Sequence, residues 1–321
     1  MNPYSGAGFF EFFAILFQRL AQVCMGAPLT LATDEVQLAV LACCAIACGL
    51  IGPFLVLKRM TMFANSLSHT SLLGVVGAFL IGSSLWDGTI ADISILLLGA
   101  FIAALLTAGL TETLSRLFRL QPDASIGLVF TTLFALGVIC VTLFTKNAHI
   151  STEAVMGNPD ALQWSDLKLS ALIAFLNIGL VLFLYRRLQL ASFDEPFAKA
   201  IGAPANGLRL TLFLLTSATC TGAFRAVGVL VVLALLTGPY LTARLFCHRL
   251  SHLLIWTPCI GLVACTIGVA LSRSILSWTG MPLSTSGLIA TFIALIFLSA
   301  LFVRRRKKTR TGWTGSALPA G

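Results

Sequence analysis

The chain has 321 residues, of which 58% are hydrophobic and only 10% charged, and its mean hydropathy is +0.96. A soluble domain carries about 25% charged residues, so a cytosolic globule and a nucleic-acid-binding surface are excluded, and the apolar content excludes disorder. The class left is a polytopic membrane protein, yet 21 Lys and Arg stand against 12 Asp and Glu, a net charge of +9 that needs a place to sit.

Residues 1–36 read as an N-terminal extension. Its segment from Phe9 to Val23 is aromatic-rich but interrupted by Glu11, Gln18 and Arg19. A secretory signal opens with positive charge, and here the first charge is negative. The segment predicts an interfacial amphipathic helix or an extra span. Nine further stretches approach the ~20 apolar residues that a crossing needs. They are 37–57, 62–83, 90–110, 126–145, 168–185, 207–222, 226–246, 252–272 and 284–303. The prediction is an all-α polytopic bundle of about nine transmembrane helices (8–10) over residues 37–303. A basic tail, 304–321, follows. Outer-membrane strands would alternate over ~10 residues, and no such pattern occurs.

Basic residues favour the cytoplasmic loops. Lys58 and Arg59 follow the first span, Arg116 and Arg119 the third, Arg186, Arg187 and Lys199 the fifth, and Arg244 and Arg249 the seventh. Arg304, Arg305, Arg306, Lys307, Lys308 and Arg310 follow the ninth. The inner segments hold 16 Lys and Arg against 4 acids, and the outer ones 4 against 7. The C-terminus is therefore expected in the cytoplasm of a bacterial inner membrane. The terminal basic cluster reads as a topology determinant beside anionic lipid.

Nine cysteines, including Cys43, Cys44 and Cys48 in a run of Ala and Gly, contain no C-x-x-C. They read as small residues that let helices approach closely, with a thiolate metal cluster as the competing reading.

The most informative stretch is Asn65-Ser66-Leu67-Ser68-His69-Thr70-Ser71 in the second span. Polar groups inside hydrocarbon must face protein or a water-filled path. Asn65 and His69, four apart, lie on one helix face, with His69 about 10 Å from the cytoplasmic start. Imidazole is the commonest ligand of transition metals, and an amide oxygen a weaker one. Helix–helix hydrogen bonding explains the same residues equally well. One His per chain cannot hold a metal tightly, whereas two copies facing each other would supply two His and two Asn.

Gly52-Pro53-Phe54-Leu55-Val56-Leu57-Lys58-Arg59-Met60, then Asn65 to His69 and Gly74, resembles the first signature of the metal-ion ABC importer permeases. Asp123-Ala124-Ser125-Ile126-Gly127 with Ala135-Leu136-Gly137 is similar to a later signature. So are Phe193-Asp194-Glu195 with Phe197-Ala198-Lys199 and Gly202, and then Gly228, Pro239 and Ala243-Arg244-Leu245. The resemblance runs over about residues 37–303. It implies the membrane subunit for uptake of manganese, zinc or iron. It also implies a contact between the transported ion and His69 and, where the family commonly has an acid, Asn65. Gly157-Asn158 likewise stands where the family often has Gly-Asp.

Ser192 to Gly202 reads as a short cytoplasmic helix. Asp194 and Glu195 suit its N-terminus, Pro196 its first turn and Gly202 its stop. Phe193, Phe197 and Ile201 form one apolar face, able to sit in a partner's groove or rest on lipid. The resemblance favours the groove of an ATPase and makes Phe193, Asp194, Glu195, Phe197, Lys199 and Gly202 the coupling loop. The sequence has no G-x-x-x-x-G-K-[ST], so ATP hydrolysis is expected on a separate subunit.

Further candidates carry weaker signals. His248 and His252 sit among Arg244 and Arg249, which repel a cation. His149 lies near Glu153 in an outer loop, and Arg225, in a tight outer turn, could snorkel. Pro239 follows Gly238 inside a span, as a gating hinge or, preferably, a static kink.

The expectation is a permease, not an enzyme. It would have no permanently bound cofactor and would carry a divalent metal ion. Its partners would be an ATP-binding subunit, a periplasmic or lipoprotein metal-binding protein, a second permease subunit and membrane lipid, with no nucleic acid. The alternatives are an ABC permease for a metal chelate such as a siderophore or corrinoid, or a stand-alone secondary cation transporter. The latter usually carries ionisable pairs within its spans.

Overall fold

The computed structural model describes residues 4, 8–24, 32–85, 93–144, 157–193, 195–200, 205–281 and 283–311. Among them the regular structure is helical. In chain order the α-helices are α1 (Phe9–Cys24), α2 (Thr33–Leu57), α3 (Thr61–Leu85), α4 (Ile93–Leu117), α5 (Pro122–Phe144), α6 (Trp164–Phe193), α7 (Glu195–Ala200), α8 (Ala205–Val227), α9 (Val229–Arg244), α10 (Leu250–Thr279) and α11 (Thr285–Thr311). A 3-10 turn, Pro159–Ala161, precedes α6.

Eight of these helices are long and apolar enough to cross a membrane, and α9 is a shorter apolar helix. All nine expected segments are thus helices. The fifth and eighth, each 30 residues long, run well past their expected bounds, and the seventh is the one that is shorter than expected. Its start is set by Gly228, whose φ of +87° few side chains tolerate, and it ends at Arg244. Sixteen residues rise about 24 Å, less than the ~30 Å hydrocarbon core. Burial of one side of α9 against α2, α10 and α11 compensates for that length.

Helix α2 is the hub, with α6, α9 and α10 packed around it. Its Glu35 carboxylate accepts the N–H of Ala32 at 2.9 Å, closing the first turn. Further along, Gly52 has no side chain because α9 passes there: a Cβ would collide with the carbonyl oxygen of Leu236. The run Gly52-Pro53 is therefore a contact surface for a neighbouring backbone. Asn177 of α6, fully buried, donates to Thr219 of α8 at 2.8 Å and ties α6 to the centre. Cys44, Cys48, Cys220 and Cys265 are buried among α2, α8 and α10, packed as small apolar side chains.

Helix α3 packs on α4 and α5, and α8 touches α2, α3, α4 and α6. Most of α5, α6 and α11 faces outward, whereas α2 and α8 are enclosed.

Helix α1, at 16 residues, is shorter than a crossing requires. Phe12 is buried on its inner side, while Phe10 and Phe17 point outward. Arg19 and Tyr4 both bond the Glu35 carboxylate, at 2.5 and 3.0 Å. Burial, and then Glu35, push the Tyr4 phenol up.

Ion pairs join helix ends that the sequence left separate. Arg273 of α10 bonds the buried Asp34 of α2 at 2.6 Å. Arg225, expected to snorkel, instead pairs with Asp166 of α6 at 3.3 Å, because the single-residue turn at Gly228 holds the end of α8 beside α6. Asp160 accepts from Gln37 of α2 at 3.1 Å and from Thr285 of α11 at 2.6 Å.

Candidate transport site and coupling surface

The polar stretch of α3 divides into two sets. Ser66, Ser68, Thr70 and Ser71 are buried and donate to carbonyls three residues back, at 2.7, 2.6, 3.4 and 2.7 Å. Thr107 of α4 donates to the Thr70 hydroxyl at 3.0 Å. The hydroxyls thus satisfy themselves and glue α3 to α4, which is the helix-packing reading.

Asn65 and His69 behave differently. His69 is exposed on this chain, and among the described residues neither it nor the Asn65 amide has a side-chain hydrogen-bond partner. The imidazole leans on α5, its ring centre 5.3 Å from those of both Phe130 and Phe134. The two phenyl rings stack at 6.0 Å. His69, Phe130 and Phe134 thus form one aromatic cluster between α3 and α5. One turn nearer the cytoplasmic end, Asn65 lines a cavity of about 180 Å³ between α2, α3 and α9, with Met62, Thr61, Leu233 and Thr237. Met62, Asn65 and His69, spaced three and four apart, form one open stripe.

Among the described residues no three His, Cys, Asp or Glu side chains cluster to hold a metal. A single copy offers one imidazole and one amide. A second copy facing this stripe would double the donors.

At the coupling segment, Phe193 ends α6 and Phe197 lies in α7. Both are more than half exposed, whereas Ala198 is fully buried. Two aromatic rings, one at the end of α6 and one on α7, thus stand at the end that the basic loops assign to the cytoplasm, and Ala198 anchors α7. Asp194, Ile201 and Gly202 lie outside the described residues, as do the side chains of Glu195 and Lys199.

Pro239 is buried and α9 runs through it without a break. Thr242 donates to the Gly238 carbonyl at 2.9 Å. His248 and His252 are exposed beside Arg244 and Arg249 and are not brought to His69. His149 and Glu153 lie outside the described residues.

Several contributors escaped the sequence reading. Phe130 and Phe134 carried a signal, an aromatic pair at helical spacing, but nothing in the chain linked them to His69. Thr237 had none beyond its place before Gly238. Glu112, in an otherwise apolar span, is buried and pairs with Arg116 at 2.5 Å and with Arg209 of α8 at 3.0 Å.

A bundle of eight helices long and apolar enough to cross a membrane, with a shorter apolar one among them, is the fold of a polytopic membrane protein. The chain belongs to the ABC 3 transport family, whose model matches residues 33–304. It is 37% identical over 309 residues to a "Probable metal transport system membrane protein" of Chlamydia muridarum, covering 95% of this chain and 96% of that one. It is 35% identical to the manganese transport system membrane protein MntD of Bacillus subtilis, covering 79% of this chain and 86% of that one. In fold it matches a chain of PsaBC from Streptococcus pneumoniae with a TM-score of 0.71 at 23% identity, covering 91% of this chain and 99% of that one. The protein is a multi-pass integral protein of the bacterial inner membrane.

Proposed function

We propose that the chain is the permease subunit of an ATP-driven importer of divalent transition-metal ions, manganese, zinc or iron. The observation that carries this reading is the open stripe of α3, on which His69 and Asn65 are left unsatisfied while the surrounding hydroxyls satisfy themselves. The names of the relatives support the substrate class. The ion is cargo, so a shallow, two-donor contribution from each chain suits it. Ions must be able to leave as readily as they arrive.

The roles follow from the side chains. The imidazole of His69 offers a nitrogen to the passing cation, and the Asn65 amide offers an oxygen one turn closer to the cytoplasm. The rings of Phe130 and Phe134 keep the imidazole in one orientation and exclude water from its flank. A second permease subunit, a copy or a relative, would face this stripe. A binding protein would deliver the ion to the outer side, where acids outnumber bases. An ATP-binding subunit would seat the coupling loop, Phe193, Asp194, Glu195, Phe197, Lys199 and Gly202, and its nucleotide cycle would shift the helices between outward- and inward-open states. Pro239, buried within α9 two residues beyond the cavity-lining Thr237, would be the hinge about which α9 tilts.

The test is His69→Ala in the intact complex, followed by uptake of radiolabelled manganese, zinc and iron. Uptake is expected to fall to background while the complex still assembles. Wild-type uptake by a stably inserted variant would remove His69 from the path.

A further inference from the structure

We infer that Arg209, with Glu112, Phe213 and Phe63, is the mechanical link between the coupling segment and the α3 stripe, an inference that rests on the transport reading above and names the residues through which it would act.

Helix α7 is followed in the chain by α8, which starts at Ala205, and Arg209 lies one turn into α8. Helix α7 also packs directly against α8, so a displacement of α7 reaches the start of α8, where Arg209 lies. Helix α8 is among the most enclosed elements, so it cannot shift without moving its neighbours.

Arg209 grips one of those neighbours, α4. Its guanidinium lies 3.0 Å from the Glu112 carboxylate and donates to the Ser115 hydroxyl at 3.4 Å, both on α4. The side chains of Glu112 and Arg209 are only 10% and 17% exposed, so solvent screens the pair weakly. The same guanidinium sits over the Phe213 ring at 5.7 Å, one turn along α8. Phe213 meets Phe63 of α3 edge to face, with centres 4.4 Å apart, and both rings are fully buried. Phe63 lies two residues before Asn65, and its carbonyl accepts the Ser66 hydroxyl at 2.7 Å.

The first turns of α3 are thus pressed directly by Phe213. A close-packed aromatic contact transmits displacement because it has no slack to absorb it. The Glu112 pair keeps α4, and with it the partner of Thr70, moving as one body with α8. Movement of α7 would then tilt the start of α3 and with it Asn65 and His69. Arg209 touches no ion, so it is a positioning residue.

A purely structural staple would hold the same contacts, so the test must read the ratio of transport to hydrolysis. The complete transporter, reconstituted in proteoliposomes with its ATPase and second permease subunit, is compared as wild type, Arg209→Gln, Arg209→Lys and Phe63→Leu. Hydrolysis is expected to stay within about two-fold of wild type. Metal moved per ATP is expected to fall about ten-fold in Arg209→Gln and Phe63→Leu, the scale of a typical coupling between sites. Arg209→Lys, which keeps the charge, should recover most of it. Hydrogen exchange over residues 61–69, measured with and without ATP, should respond in wild type and not in Arg209→Gln. An unchanged ratio, or uptake and hydrolysis falling together, overturns the link. Phe63→Leu, which keeps an apolar side chain, tests the same link should Arg209→Gln not assemble. The exchange measurement needs no metal, so a wild-type complex that responds to ATP yet moves no metal would sink the transport reading alone.

Discussion

Asn65 and His69, proposed above as this chain's share of a transport path, show how much the surroundings of a residue matter. Their shared helix face is a consequence of four-residue spacing and was legible directly. That they are the members of the patch left open was not, because Ser66, Ser68, Thr70 and Ser71 are equally polar on paper. The distinction came from which hydroxyls found carbonyls within their own helix. Asn65 also stands where the family commonly has an acid. A carboxylate about 5 Å from a divalent ion attracts it by several kcal/mol at an effective dielectric near 20. Asn65→Asp is therefore expected to lower the apparent KM for metal uptake by about ten-fold or more, and to slow turnover if the ion is then held too tightly. Uptake measured against metal concentration checks this, and an unchanged KM would place Asn65 off the path.

At the scale of the element, close approach of backbones decides more than helix propensity. Gly52 is a poor helix former by about 1 kcal/mol relative to Ala, so propensity alone makes Gly52→Ala stabilising. The collision of its Cβ with the Leu236 carbonyl reverses the sign. A backbone carbonyl inside α9 cannot rotate away, and the strain of forcing α2 and α9 apart is about 1–3 kcal/mol. The variant is expected to unfold at lower temperature in detergent, and an equal or higher melting temperature would refute the contact. The sequence placed Gly52-Pro53 in a signature without saying what it touched. It also placed a span on each of nine observed helices, although α6 and α10 run well past the expected ends. It missed the shortness of α9, because hydropathy continues smoothly through Gly228 while the backbone does not. The positive φ there is imposed by the one-residue turn to α8, a tertiary constraint.

For the whole molecule, the basic excess is an orientation signal and the ion pairs explain its exceptions. Arg225 and Arg273, on the outer side by the loop pattern, are bound to Asp166 and Asp34, so they do not oppose the inner majority. The pattern predicts sidedness that can be measured. A cysteine introduced by Trp164→Cys should react with an impermeant thiol reagent in intact spheroplasts, and Arg119→Cys should react only after lysis. The opposite result would invert the topology and place the coupling helix on the wrong side for an ATPase.

The sequence alone determined the class, the span count and the orientation, because these depend on composition and on the cost of placing charge in hydrocarbon, which every residue reports locally. It also marked His69 and the coupling segment, since their chemistry is out of place in their surroundings. Only the tertiary structure decided what lies beside them. The aromatic wall of Phe130 and Phe134, the cavity shared by Asn65 and Thr237, and the Glu112–Arg209 link join helices far apart in the chain. Such contacts are set by how the helices pack, and no local pattern carries that information.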